Sequence, residues 1–295
     1  MFYLLYRLGH LICISIPVNA SYAIAAAVAW IYYHLAWRDR NAVIRNLRIV
    51  LHGADEKTIK RLSKGVFKNF AKYLVEFFRF SALDADFVKS RVKVEGLDNL
   101  EKGRARGKGT IILSAHIGNW EFGGFIVPLL GYPLSAVVLS HQDKKINDFF
   151  TRQRRIANMT PIEIGVSLRS CFEVLRNNGF LALLGDRDFS GRGMMMDFFG
   201  KKAIIPKGPA ALSQRLNATI VPCFMIREKD DSFKLVFEDP IFPDLDEAED
   251  VAIPALTERC LAVIESYIRR YPDQWYIFKD FWDPEGNKPS SNKII

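Results

Sequence analysis

Cysteine is sparse in this chain and its placement is scattered. Cys13, Cys171, Cys223 and Cys260 form no C-x-x-C pair. That spacing argues against a zinc ribbon or a disulfide framework and leaves reduced thiols in a cytosolic setting as the expectation. A G-x-S-x-G elbow is missing, which argues against an α/β-hydrolase. An H-E-x-x-H helix is missing too, and His10, His34, His52 and His141 have no ligand-type neighbour at metal-binding spacing, so neither a metal nor another cofactor is expected. No small-residue cleavage site follows the apolar N-terminus, so it is not read as a signal peptide. Acidic residues are in deficit, with 33 Asp and Glu against 41 Lys and Arg, a net charge of +8. Such a surface favours anionic partners: nucleic acid, acidic lipid headgroups or an acidic protein. No internal repeat or low-complexity tract is present.

What is there begins with apolar and aromatic residues. Hydrophobic side chains make up 49% of the 295 residues, enough for a large core and incompatible with disorder. Residues 20–37 carry one ionisable side chain, His34, and end in Trp30, Tyr32, Tyr33 and Trp37, an aromatic cluster suited to headgroup depth. Spanning a bilayer takes about 20 apolar residues, so this stretch is marginal. The preceding apolar run carries Arg7 and His10, and Pro17 and Asn19 separate the two. Arg38, Arg40, Arg45 and Arg48 follow at once, against one acid, Asp39. If the segment is inserted, these arginines keep the body on the cytoplasmic side and meet anionic lipid. Residues 1–37 are therefore read as a membrane-associated segment, spanning or lying flat. The alternative is a buried helix of a soluble core.

Residues 55–80 read as an amphipathic helix. Phe67, Phe70, Leu74, Phe77 and Phe78 recur at helical spacing, with Lys57, Lys60, Arg61, Lys64, Lys68 and Lys72 between them. Its basic face is expected to be solvated. Beyond residue 90, short β-branched runs alternate with helical stretches. Strands are expected at 92–95, 110–114, 136–139, 181–184, 219–224 and 234–238. Helices are expected at 121–130, 144–158, 168–177, 208–216 and 253–270. This alternation predicts an α/β body over residues 38–295, a mixed, largely parallel central sheet flanked by helices. The basic stretch Lys102–Gly109 precedes its strand rather than following it, so it is not a phosphate loop and is expected to be a solvated, mobile loop.

The strand expected at 110–114 runs into Ala115-His116-Ile117-Gly118-Asn119-Trp120-Glu121. Residues five apart on one helix point roughly 140° apart, so His116 and Glu121 meet only if the chain turns between them. A strand ending at His116 and a helix opening near Trp120 would allow it. A carboxylate on one imidazole nitrogen fixes the tautomer and frees the other as a base. His116 and Glu121 are therefore the candidate catalytic pair, with backbone N–H groups near Asn119 and Trp120 as candidate oxyanion donors. A second candidate edge is Gly185-Asp186-Arg187-Asp188, where Asp186 and Arg187 serve a site or simply pair with each other. Lys207, at the start of a helix, and the cluster Arg152, Arg154 and Arg155 are further candidate anion-binding groups.

These residues also carry a resemblance. His116-Ile-Gly-Asn-Trp-Glu121 is similar to the H-x-G-N-W-E signature of the bacterial lipid A biosynthesis (lauroyl/myristoyl) acyltransferases, within the lysophospholipid acyltransferase superfamily and its H-x4-D/E motif. Arg45-Asn46-Leu47, Phe198-Phe199-Gly200 with Pro206-Lys207-Gly208-Pro209-Ala210, Ile220-Val221-Pro222 and Pro272-Asp273-Gln274-Trp275-Tyr276 resemble further family blocks in order. Phe278-Lys279-Asp280-Phe281-Trp282 departs from the His-Arg-Arg often found in lipid A enzymes. The resemblance implies transfer of a fatty acyl chain from acyl carrier protein or acyl-CoA to a hydroxyl or amine of a membrane lipid such as a lipid A precursor. It implies His116 as base, Glu121 orienting it, Arg187 and backbone donors on the oxyanion, and a place on the cytoplasmic face of the bacterial inner membrane. The competing readings are a lipid or thioester hydrolase and a non-catalytic lipid-binding protein. Nucleic acid is not expected as a partner, because the cations are spread along the chain and interleaved with an apolar N-terminus.

Overall fold

A computed structural model describes residues 2–83, 85–164 and 168–283. The end of the expected 38–295 body, 284–295, lies outside the described residues. The chain opens with four helices, α1 (Phe2–Ser15), α2 (Val18–Leu35), α3 (Trp37–Val50) and α4 (Glu56–Phe78). Pro17 caps α2 and accounts for the break after α1, because its ring disfavours helical geometry in the residue before it. Asp55 opens α4 by accepting from the Thr58 amide at 2.8 Å. Helix α2 runs antiparallel along α4: Tyr33 bonds Ser63 at 3.0 Å at one end, and Lys72 lies over the Tyr22 ring at the other. Arg79 donates to the Cys13 and Ile16 carbonyls, and His10 bonds the Phe78 carbonyl at 2.8 Å, which ties α1 to the end of α4.

The α/β body follows as α5 (Ala85–Arg91), β1 (Val92–Glu95), α6 (Leu97–Ala105), β2 (Thr110–Ser114), α7 (Trp120–Leu129), β3 (Leu134–Val138), α8 (Lys144–Ile156), β4 (Met159–Glu163), α9 (Leu168–Arg176), β5 (Phe180–Leu184), β6 (Met194–Phe198), β7 (Lys201–Ile205), α10 (Gly208–Leu216), β8 (Thr219–Arg227), β9 (Phe233–Phe237) and α11 (Glu249–Arg270). The main sheet has the order β1-β9-β8-β2-β5-β3-β4, and β6 and β7 pair as a separate antiparallel hairpin. Every pair in the main sheet is parallel except β8–β9. The expected mixed, largely parallel sheet with flanking helices is what forms.

Strand β2 sits in the middle, between β8 and β5, and is covered on both faces. Ile111 and Leu113 join the core under α10 and α11, while Ile112 faces the core under α7 and α8. That two-sided burial is why the sequence there is a continuous apolar run rather than an alternation. Each fully buried Phe or Ile in these cores contributes about 1.5–3 kcal/mol relative to exposure.

Three expectations are corrected. Lys102–Ala105 are helical, as the end of α6, not part of a mobile loop. Strand β4 is not among the expected strands; it is the sheet's edge and carries Pro161, a residue that weakens the strand signal in sequence. The β6–β7 hairpin was also not expected. It turns at Phe199 and Gly200, both at positive φ, and phenylalanine gives no turn signal in sequence.

Candidate active site

His116 follows the carboxyl end of the central strand β2, the position where open α/β sheets place their ligands. The strand does not simply stop. The segment 274–276 returns alongside it: the Tyr276 amide donates to the His116 carbonyl at 2.9 Å, and the Gly118 amide to the Gln274 carbonyl at 2.9 Å. Gly118 then turns the chain at φ +62°, and a Cβ there would drive into the Met225 carbonyl oxygen. Only glycine fits both the angle and the close approach. Asn119 caps α7, its side chain accepting from the Phe122 amide at 2.9 Å.

The carboxylate on His116 is Asp186, not Glu121. Asp186 Oδ1 lies 2.8 Å from His116 Nδ1, and Oδ2 accepts from the His116 backbone amide at 3.1 Å and from Trp275 Nε1 at 3.0 Å. Asp186 has no solvent exposure. Burial alone would push its carboxyl up; the facing His116 and the three hydrogen bonds outweigh that and hold it below the usual range. Asp186 follows β5, the immediate parallel neighbour of β2, with Ser114 level with Leu184. Two adjacent parallel strands therefore deliver the pair from the same sheet edge. The alternative that Asp186 merely pairs with Arg187 does not hold.

Glu121 lies inside α7's first turn and faces Arg154 of α8, with Arg154 Nη2 at 2.6 Å and Nε at 3.1 Å. Both side chains are under a tenth exposed. The turn at Gly118 brings α7 beside the site, but the acid five residues from His116 is committed to an arginine.

The His116 side chain is 15% exposed, so the imidazole is shielded yet reachable. Among the described residues Nε2 has no hydrogen-bond partner. Trp120 and Phe189 flank the ring at centroid distances of 5.2 and 5.9 Å. Trp120 stacks on Tyr73 at 4.6 Å. Arg187 lies over the Phe189 ring at 4.6 Å, and its buried Nε has no partner. With Nδ1 engaged by a carboxylate, Nε2 is left as a proton acceptor in an apolar, aromatic setting.

The remaining candidates divide. Trp120 lies against the His116 ring, and Arg187 lies over Phe189, which flanks that ring. The Asn119 amide donates to the Met225 carbonyl at 2.7 Å, so that N–H is not available to an oxyanion. Asn119 Nδ2 donates to Glu76 at 2.6 Å. Arg155 and Arg152 lie on the exposed face of α8, and Lys207 is the exposed N-cap of α10; none is in contact with His116 among the described residues. All four cysteines are free and buried.

Sequence reasoning missed three residues. Trp275 carries no signal of its own in sequence beyond the Pro272–Tyr276 block, and its indole N–H donates to Asp186. Glu76 and Arg227 form a buried pair beneath the turn, with Arg227 Nη2 2.6 Å from Glu76 Oε1. Glu76 holds Asn119, and Gln274 bonds both backbone groups of Arg227, at 3.0 and 2.8 Å. The available signal was Glu76 itself, one acid in the apolar stripe beside Phe77 and Phe78. The early block is explained by the same segment. Arg45 forms an ion pair with Asp280, and Asn46 bonds the Ile277 and Lys279 carbonyls and the Phe281 amide.

Residues 2–283 match the family described as bacterial lipid A biosynthesis acyltransferase. The chain is 25% identical over 243 residues to a phosphatidylinositol mannoside acyltransferase of Mycolicibacterium smegmatis, covering 81% of this chain and 78% of that protein. It is 24% identical over 242 residues to the lipid A biosynthesis palmitoleoyltransferase of Escherichia coli, covering 81% and 76%. A lipid A biosynthesis acyltransferase of Haemophilus influenzae is 23% identical over 247 residues, covering 82% and 75%. The chain therefore belongs to the bacterial lipid A biosynthesis acyltransferase family and is an acyltransferase.

Proposed function

We propose that this acyltransferase moves a fatty acyl chain from an acyl thioester to a hydroxyl of a membrane glycolipid, with His116 as general base and Asp186 as its orienting acid. The observation that carries the reading is the Asp186 carboxylate on Nδ1 with Nε2 left unpartnered. His116 Nε2 takes the proton of the acceptor hydroxyl as its oxygen bonds the thioester carbonyl carbon. The tetrahedral intermediate collapses by breaking the C–S bond, and the imidazolium returns its proton to the leaving thiolate. Asp186 stabilises the imidazolium, and Trp275 holds Asp186 in place. The first-turn amides of α7 at Trp120 and Glu121 have no intrahelical acceptor, and with Arg187 they are the donors for the oxyanion. Glu121 acts through Arg154 as a positioning residue, clamping α7 to α8 so that the turn after His116 keeps its shape.

The acceptor is read as a glycolipid because the relatives' names include both mannoside and lipid A acyltransferases. The donor is an acyl carrier protein or acyl-CoA. Access to such lipids comes from the N-terminal helices. Leu4, Leu5, Leu8 and Leu11 on α1, and Ile24, Val28, Ile31 and Leu35 on α2, form outward apolar stripes at helical spacing, and most exposed large apolar side chains among the described residues lie before residue 38. None of the described helices is long and apolar enough to cross a membrane. The stripes therefore support a hairpin lying in the interface, with Arg38 and Arg40 at its rim and the body on the cytoplasmic face of the bacterial inner membrane.

The test is transfer of labelled acyl chain from a purified acyl thioester to glycolipid in mixed micelles. Wild type makes the acylated lipid, and His116→Ala loses about 10²–10⁴-fold while remaining folded. Full activity of His116→Ala would overturn the assignment. Release of free fatty acid at the same rate with no acceptor present would favour a hydrolase.

A further inference from the structure

Helix α4 carries a second feature that the chemistry at His116 does not use. Lys57, Lys60, Arg61, Lys64 and Lys68 are all exposed and recur every three or four residues, so they share one face. None of the five is in an ion pair among the described residues. Glu56, beside them, is engaged by Arg48 at 2.9 Å. The face lines an open groove of about 840 Å³, which Asp273 also lines. Asp273 is packed against Gly65 and its carboxylate accepts from Asn69 at 3.2 Å. The groove is joined to the reaction centre by the chain itself: Asp273 is two residues from Trp275, which holds Asp186, and α4 continues to Tyr73 and Glu76 under the His116 turn.

Three occupants could supply the missing negative charge. A bilayer surface is disfavoured because α4 shows no exposed large apolar side chain, whereas α1 and α2 are covered with them. A single diphosphate is disfavoured by spread, since Lys57 to Lys68 covers about 16 Å of helix, and a small anion needs cations that converge. An acidic protein surface of similar length fits both facts. Resting on the acyl-transfer reading, we propose that this α4 face docks the acidic carrier protein that bears the acyl thioester. Charge complementarity there steers the donor and sets its orientation rather than taking part in bond making.

The experiment compares the full chain with Lys60→Glu/Lys64→Glu, and separately with Lys57→Glu/Arg61→Glu, using one acyl group presented either on acyl carrier protein or on CoA. With the carrier-borne donor, each double variant raises KM at least about tenfold and leaves kcat in place, and the steep loss of wild-type kcat/KM with added salt disappears. With the CoA donor the kinetics stay as in wild type, and sedimentation with anionic vesicles is unchanged. Unchanged KM for the carrier donor in both variants overturns the docking surface alone. So does an equal loss with both donors, which points to a phosphate site, or a loss of vesicle binding, which points to the membrane. Inactivity of the wild-type chain with every donor overturns the acyl-transfer reading and this surface with it.

Discussion

Asp186→Asn is the sharpest probe of the site, because it changes one atom and inverts the hydrogen-bond logic around it. Asp186 Oδ2 accepts from two fixed donors, the His116 amide and Trp275 Nε1. In the variant the single amide oxygen is needed there, so the NH2 group faces His116 Nδ1. A donor facing Nδ1 requires it to be unprotonated, which places the ring proton on Nε2 and removes the base. The analogous substitution in the serine-protease triad drops kcat by about 10⁴, about 5.5 kcal/mol of barrier, and a loss of about 10³–10⁴ in kcat with KM little changed is expected here. The assay is steady-state acyl transfer, with a thermal melt to show that the protein remains folded. The melt has its own signature. The depressed Asp186 carboxyl contributes stability that is fully present above the ordinary carboxyl range and is lost as pH falls through its lower folded value. The stability gap between wild type and variant should therefore shrink on acidification. A folded variant within about tenfold of wild-type kcat would refute the orienting role, since one misplaced proton on a general base costs at least 10²-fold.

Trp275→Phe keeps an aromatic side chain, though a smaller one, and removes one donor to Asp186, so kcat should fall while CoA- and carrier-borne donors are affected alike. Glu121→Gln strands the buried Arg154 and should cost about 3–5 kcal/mol in chemical denaturation, with activity falling alongside; stability equal to wild type would show that the pair does not clamp α7. Gly118→Ala should be poorly folded or strongly destabilised, read by melting temperature, because both its φ and the Met225 carbonyl oppose a side chain. Val28→Ser/Ile31→Ser/Leu35→Ser should reduce co-sedimentation with vesicles while leaving the melt near wild type, since these side chains are exposed; unchanged sedimentation would locate the membrane contact elsewhere.

The layered α/β body was legible in the sequence wherever burial is one-dimensional. The continuous apolar run of β2 and the apolar periodicity of α4 report their own surroundings, and both elements form where expected. So does the turn after His116, because Gly118 and the Asn119 cap are local requirements. Edge strand β4 and the hairpin at Phe199 and Gly200 were hidden, since neither proline in an edge strand nor a phenylalanine at positive φ advertises itself.

The sequence by itself determined that a histidine would end a buried strand and that an acid would stand nearby. Which acid it is depended on sheet order. Because β5 lies directly beside β2, Asp186, 70 residues away, reaches Nδ1. Glu121, five residues away, instead turns with α7 toward α8 and its Arg154. Helical geometry decides where a near neighbour points, and strand adjacency decides which distant residue arrives; only the second depends on the whole fold.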